Sequence, residues 1–282
     1  MSIKIVTDST SYIPSELLRE YDIKVVSLNV VMNGKSYREV DLKNEDFYIE
    51  MDKLDEIPTS SQPSLEEVRE TFMKIAAEGN DIVGVFISSN MSGTYSSAHI
   101  VKDMVLEEYP NINIEIIDSK SNCMQMGFEV LQGARAAKEG KNMEEVIETI
   151  KYTINNSRFL FIPDTLKYLK KGGRIGGAAA LFGTLLQIKP ILTVEDGTTS
   201  VFNKVRTRKK AIEVMIDKVV EDIGENKGEV IVHHINCKED GEKLAKQLEE
   251  KLNVKVLVDS IGPIIGLHVG PGSIGIAYHY TK

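Results

Sequence analysis

Three short apolar runs, Ile3 to Thr7, Ile82 to Ser88 and Ile114 to Asp118, each end in a polar turn and are separated by stretches of helical periodicity. This alternation of buried strand and crossover helix constrains the chain more than any other feature, because it is the rhythm of a βαβ sheet. In such a sheet ligands bind beyond the carboxyl ends of the strands. Those ends carry Asp8-Ser9-Thr10, Ser88-Ser89 and Asp118-Ser119, so three hydroxyl-rich turns are expected to converge on one crevice. A hairpin is expected over Ser27 to Tyr37, since Asn33-Gly34 supplies the positive-φ residues of a tight turn; it should extend or flank the first sheet.

Amphipathic helices follow at Met124 to Lys138 and Met143 to Ile154, and Asn155-Asn156-Ser157 breaks the pattern. Beyond that break, strands are expected at Arg158 to Ile162, Ile188 to Glu195, Val201 to Val205, Val230 to Ile235 and Val254 to Val258, with helices near Lys209 to Ile223 and Glu239 to Leu252. Asp196-Gly197-Thr198 marks a second hairpin. The expected fold class is therefore α/β in two domains, a parallel-sheet α/β/α domain over residues 1–156 and a second α/β domain with a mixed sheet over residues 157–282. No repeat at a solenoid period is visible, which argues against an array.

Charge and cysteine content narrow the function. Lys plus Arg number 34 against 42 Asp plus Glu, a net charge of -8 that repels a polyanion and argues against nucleic acid as a partner. The amino terminus enters a strand at once, with an apolar stretch too short for a signal peptide or a membrane span, so a cytoplasmic protein is expected. Cys123 and Cys237 stand far apart with no ligand spacing, and His99, His233, His234 and His279 form no group with nearby carboxylates; no metal is expected.

Four motifs carry candidate chemistry. In Ser88-Ser89-Asn90-Met91-Ser92-Gly93-Thr94-Tyr95, a strand runs into a helix; Ser92 is either its N-cap or, with Thr94 and the first-turn amides, part of an anion site. In Thr59-Ser60-Ser61-Gln62-Pro63-Ser64, Ser64 and Glu67 make a capping box, while Pro63 keeps Thr59, Ser60 and Ser61 in an extended loop. Gly270-Pro271-Gly272-Ser273-Ile274-Gly275 matches a dinucleotide pattern, but the seven residues after Gly275 leave no room for the unit that gives it meaning. His268, just before it, is either an ordinary hydrogen-bonded residue or a donor to an anion in a neighbouring crevice. Arg174 on the Lys170 to Gly177 turn, and Arg206 within the basic cluster Lys204, Arg206, Arg208, Lys209 and Lys210, are candidate contacts for an acidic partner or an anionic lipid surface. There is no GxSxG elbow, P-loop or HExxH, which weakens enzyme readings.

Taken in order and spacing, Asp8-Ser9-Thr10, Ser60-Ser61-Gln62-Pro63-Ser64, Ser88 to Tyr95, Gly172-Gly173-Arg174-Ile175, Ile188-Lys189-Pro190-Ile191-Leu192 and His268-Val269-Gly270-Pro271-Gly272 resemble the DegV family. The resemblance implies a long-chain fatty acid, palmitate-like or oleate-like, buried between two domains, with no other cofactor and no catalytic residue. It implies that Ser60 and Ser92 hold the carboxylate, with His268 near it; Ser61 and Thr94, hydroxyls of the same two loops, are candidate further contacts. Ser60 stands where the family usually has Thr, which keeps the hydroxyl and loses the methyl that restricts its rotamer. The resemblance also implies kinship with the binding subunit of bacterial fatty acid kinases, hence a kinase partner, a role in phospholipid metabolism and transient contact with a membrane surface through Arg174 or Arg206. Burying ~15 methylenes at about 0.8 kcal/mol each yields on the order of 12 kcal/mol, so the chain supplies affinity and the hydroxyls fix the head group. Phe159, Phe161, Leu181, Phe182, Leu185, Leu186, Ile188, Ile264 and Ile265 are the expected tunnel wall. The rival expectations are a serine-dependent hydrolase or phosphotransferase and a lipid-responsive regulatory protein.

Overall fold

The computed structural model describes residues 2–182 and 188–281. In chain order the strands are β1 (Ile3–Asp8), β2 (Lys24–Val26), β3 (Asn29–Met32), β4 (Lys35–Arg38), β5 (Thr59–Ser61), β6 (Asp81–Phe86), β7 (Ile114–Asp118), β8 (Ser157–Ile162), β9 (Lys189–Glu195), β10 (Thr198–Val205), β11 (Lys227–His234), β12 (Leu257–Ser260) and β13 (Ile274–Thr281). The first sheet runs β2-β1-β6-β7 and is parallel throughout. Every residue of β6 is buried, as expected of a central parallel strand covered on both faces. β7 at the edge alternates at its start, with Ile114 and Ile116 buried and Glu115 exposed.

The second sheet runs β10-β9-β8-β13-β11-β12 and is mixed: only β11 and β12 are parallel, and the remaining pairs are antiparallel. The Asp196-Gly197 turn joining β9 to β10 has φ of 47° and 78°, the handedness a two-residue hairpin requires. β12 begins three residues later than the expected Val254, because Asn253 closes the preceding helix Lys238–Leu252 in the left-handed conformation (φ 54°) and the chain needs further residues to return to the sheet.

The expected hairpin forms around Asn33 and Gly34 (φ 53° and 72°), yet it does not extend the first sheet. The free edge of β3 is taken by β5, giving a separate three-stranded antiparallel sheet, β4-β3-β5. Thr59, Ser60 and Ser61 are thus a paired strand rather than the expected loop.

The helix Cys123–Lys138 lies between the two large sheets, against β1 and β6 on one side and β8 and β13 on the other. Cys123 to Leu131 is buried without interruption, so this helix has no solvent face over its first half. Gly127 lets the helix seat closely, since a Cβ there would fall 2.8 Å from the Ser11 carbonyl oxygen. The largest apolar cluster consequently joins Ile5, Val83 and Val85 of the first sheet to Phe159, Phe161, Leu192 and Ile231 of the second. Truncating the fully buried Leu131 to Ala should cost about 3 kcal/mol in urea-induced unfolding. A loss below ~1 kcal/mol would contradict this account of the shared core.

Candidate functional site

The three polar strand ends do meet, but they satisfy one another. Asp8 is fully buried and accepts hydrogen bonds from the Thr10 amide (2.9 Å), the Thr10 hydroxyl (2.5 Å) and the Ile87 amide (2.8 Å). Burial raises its pKa, and those three bonds oppose the rise. The Ser88 amide donates to the Ser121 carbonyl at 3.0 Å, and Ser89 donates to Asp118 through its amide (3.1 Å) and hydroxyl (2.6 Å). The expected crevice is therefore knitted shut at these turns, and the open space lies one step farther along the chain.

That space is a cavity of about 340 Å³, within the range of small-molecule sites. One part of its wall is polar: Ser60, Ser61 and Gln62 from the end of β5, Ser92 and Gly93 from the turn after β6, and His268 from the helix Pro263–Val269. The rest is mainly apolar: Phe159 and Phe161 from β8, Val194 from β9, and Leu28, Leu169, Ile264, Ile265 and Val269. Phe159 and Phe161 share one face because strand side chains alternate, and their rings stack at 5.1 Å. Gly93 permits the two polar loops to approach, since a Cβ there would lie 2.1 Å from Gln62 Oε1.

Ser92 is not the N-cap. The helix Thr94–Glu108 is preceded by Gly93 in a helical conformation with no side-chain cap. Ser92 Oγ instead lies 2.8 Å from Thr94 Oγ1 and accepts the Thr94 amide at 3.3 Å, a local turn that stands one residue ahead of the cap position held by Gly93. Thr94 is fully buried and does not line the cavity; it supports Ser92 from behind. Ser64 does cap its helix through the Glu67 amide (3.1 Å), but the reciprocal half of the capping box is missing. Glu67 Oε1 is drawn away to the Ser27 amide (2.9 Å) and Arg38 (2.7 Å).

His268 Nε2 lies 2.9 Å from Ser60 Oγ, while Nδ1 is buried without a hydrogen-bond partner among the described residues. Gly172 makes room for the ring, because a Cβ there would fall 2.1 Å from Nδ1. Burial, helped by the nearby Arg174 guanidinium, lowers the His268 pKa to about 4, so the imidazole is neutral at pH 7. A serine beside a histidine suggests a hydrolytic pair. Here, however, the ring is a weak base, and no carboxylate orients its far nitrogen. The arrangement suits holding an oxygen atom better than generating a nucleophile.

Arg174 is exposed yet engaged: Nε and Nη2 donate to the Met91 carbonyl (3.1 and 3.0 Å) and Nη1 to the Gly172 carbonyl (2.7 Å). It also lines the cavity. Arg206 is exposed on the turn after β10, away from the cavity wall, and Arg208 of the same cluster is tied to the Gly272 carbonyl at 2.9 Å. Of the expected tunnel wall, Phe159, Phe161, Ile264 and Ile265 line the cavity. Leu181 is buried outside it, Ile188 is half-buried outside it, and Phe182 is 44% exposed with Lys170 Nζ 3.7 Å from its ring centre. Leu185 and Leu186 lie outside the described residues. Sequence reasoning missed Leu28, Leu169 and Val194, which tertiary packing brings to the wall; Met91, beside Ser92, and Val269, beside His268, lay next to flagged residues. No cluster of three or more potential metal ligands occurs among the described residues. No helix among them is long and apolar enough to cross a membrane.

A mainly apolar cavity between the second sheet and the loops beyond the first, with hydroxyls grouped in one part of its wall, has the chemistry of a site for a small amphipathic molecule. The chain belongs to the DegV family, whose model, described as an uncharacterised protein of that family, matches residues 2–281. A DegV domain-containing protein of Clostridium acetobutylicum is 52% identical over 283 residues, covering 100% of this chain and 99% of the relative. Among solved structures, DegV of Bacillus subtilis, described as a fatty acid binding protein, superposes with a TM-score of 0.91 at 34% identity over 100% of both chains. A stearic acid-binding protein from Eubacterium ventriosum matches with a TM-score of 0.89 at 31% identity, covering 99% of this chain and 98% of that one.

Because the His268 pKa is depressed, stability linked to this ring is present above ~6.5 and is lost as pH falls through that value toward about 4. The ring's NMR titration should accordingly have its midpoint near pH 4; a midpoint at the ordinary value would mean that the ring is solvated.

Proposed function

We propose that this protein binds one long-chain fatty acid, palmitate-like or oleate-like, in the cavity between its sheets and presents the carboxylate to a fatty acid kinase for acyl phosphate formation. The observation that carries the reading is the cavity itself: stacked Phe159 and Phe161 with Ile264 and Ile265 along the acyl path, and Ser60, Ser92 and His268 together at the polar part of the wall. The kinship with structures described as fatty acid binding proteins supports it. In this reading Ser60 and Ser92 donate to the carboxylate, His268 and Ser61 complete its surroundings, and Thr94 orients Ser92. Arg174, at the cavity and exposed, and Arg206 face the kinase or, transiently, a membrane surface. A division into domains 1–156 and 157–282 belongs to the same reading, the first carrying the carboxylate loops and the second covering the chain. So do a place in phospholipid metabolism and a cytoplasmic location, which the two unpaired cysteines suit.

Mass spectrometry of the purified protein, native and then denatured, tests the binding step. The expected outcome is one long-chain fatty acid per chain, released on unfolding; no lipid after incubation with a mixed fatty-acid pool would remove the reading. Ser92→Ala and Ser60→Ala should each weaken retention by about five- to ten-fold, one hydrogen bond's worth, with little change in Tm. Phosphorylation of the bound carboxylate by a fatty acid kinase and ATP, followed as labelled acyl phosphate, tests the presenting step. A protein that carries lipid but supports no transfer would retain the binding role and lose the kinase role.

A further inference from the structure

The helix that brings Ile264, Ile265, His268 and Val269 to the cavity is anchored from the other half of the molecule by a carboxyl group that does not itself line the cavity. Glu39 Oε1 accepts the Ile264 amide at 2.8 Å and the Tyr12 hydroxyl at 2.8 Å. The Tyr12 hydroxyl in turn accepts the Ile265 amide at 3.2 Å. Glu39 Oε2 accepts the Ser9 hydroxyl at 2.5 Å, and Ser9 Oγ accepts the Leu28 amide at 3.1 Å. Three cavity residues, Leu28, Ile264 and Ile265, are thus held by their backbones on one buried Ser9-Glu39-Tyr12 cluster. Gly262 is required for this approach, because a Cβ there would fall 2.7 Å from Glu39 Oε1.

We propose that Glu39 is a positioning residue of the cavity, which holds the ligand-facing helix and makes retention of an anionic ligand depend on pH. The proposal rests on the fatty-acid reading above. Neutral Glu39 still accepts the Ile264 amide, so the helix stays in place. Ionised Glu39 keeps the Ile264 and Tyr12 bonds, while the Ser9 hydroxyl, which accepts from the neutral acid, donates to the carboxylate; the change adds a buried negative charge beside a helix whose other end, about 6 Å farther along, carries His268. A fatty-acid carboxylate bound there is repelled by Glu39 against the pull of the Arg174 guanidinium at the cavity wall, so retention weakens as Glu39 ionises.

The surroundings support a transition near neutrality. Burial pushes the Glu39 carboxyl up to about 7, with its hydrogen bonds opposing the rise and the Asp8 charge adding to it. The other titratable groups packed around the cluster are Tyr12, Tyr48 and Cys123, each pushed well above its ordinary value by burial, and His233, edge-on to the Tyr12 ring and lowered to about 4. None of these changes charge between pH 6 and 8, and none supplies a cation that would neutralise Glu39.

Partition of radiolabelled oleate between delipidated protein and phosphatidylcholine vesicles, at pH 6 and pH 8, tests this. The parent protein should retain oleate about five-fold less well at pH 8 than Glu39→Gln does when both are normalised to pH 6, the scale of one like-charge pair ~10–15 Å apart. The ligand's own ionisation is common to both proteins and cancels. The same pH ratio in both would overturn the proposal, whereas a purely structural role would lower the Tm of the variant and leave the ratio unchanged. Ser9→Ala provides a second arm that does not depend on Glu39→Gln folding. Loss of a donor to the carboxylate should move the midpoint of oleate release to higher pH, and an unmoved midpoint counts against the proposal. Failure of every protein to take up oleate at either pH would overturn the fatty-acid reading itself.

Discussion

Burial of the helix Cys123–Lys138 between the two large sheets is the constraint on which the rest of the structure depends. A helix with no solvent face over its first half must find apolar partners on both sides there, and it finds them in β1 and β6 and in β8 and β13. The two sheets therefore share a core. Phe159, Phe161 and Val194 of the second sheet then face the loops beyond the strand ends of the first sheet, together with β5 and the helix Pro263–Val269, and a cavity remains where these side chains do not meet. The cavity is a consequence of packing geometry before it is a site.

The polar groups around it follow from local rules applied at strand ends. β5 exists because β3 offers a free edge, and its pairing carries Ser60 to His268 across the chain. The turn after β6 carries Ser92, whose hydroxyl is engaged with Thr94 instead of capping the helix. His268 occupies a helix anchored by Glu39 and Tyr12, with Tyr48 donating to the carbonyls of Ile261 and Gly262 just before it. Each element is short and weak alone. Their mutual hydrogen bonds make the constellation specific.

Much of this was legible in the residues. The parallel rhythm of the first sheet, the Asn33-Gly34 and Asp196-Gly197 turns, and the helices after Asn122 and Asn142 announce themselves through periodicity and turn chemistry, which act over a few residues. Ser60, Ser92 and His268 stood out because hydroxyl clusters and a histidine beside glycines are conspicuous. Glu39 did not, since within Tyr37-Arg38-Glu39-Val40 it reads as an ordinary surface acid, and its burial comes from partners distant in sequence, Ser9, Tyr12 and Ile264. The Ser92 cap failed for a related reason: Gly93 adopts a helical conformation, which sets the helix start one residue off. Val194 and Leu169 entered the cavity wall through the angle between sheets, a property no local pattern encodes.

The size of the cavity bears on folding as well as on binding. A guest that packs apolar atoms into a cavity of about 340 Å³ adds interior contacts of the kind whose loss costs about 24 cal/mol per Å³ in a buried core. A guest that fills it behaves as an exchangeable core side chain, and its departure is a large deletion made without touching the gene. Occupancy of such a cavity is thereby coupled to conformational stability, because a ligand that binds only the folded chain stabilises it.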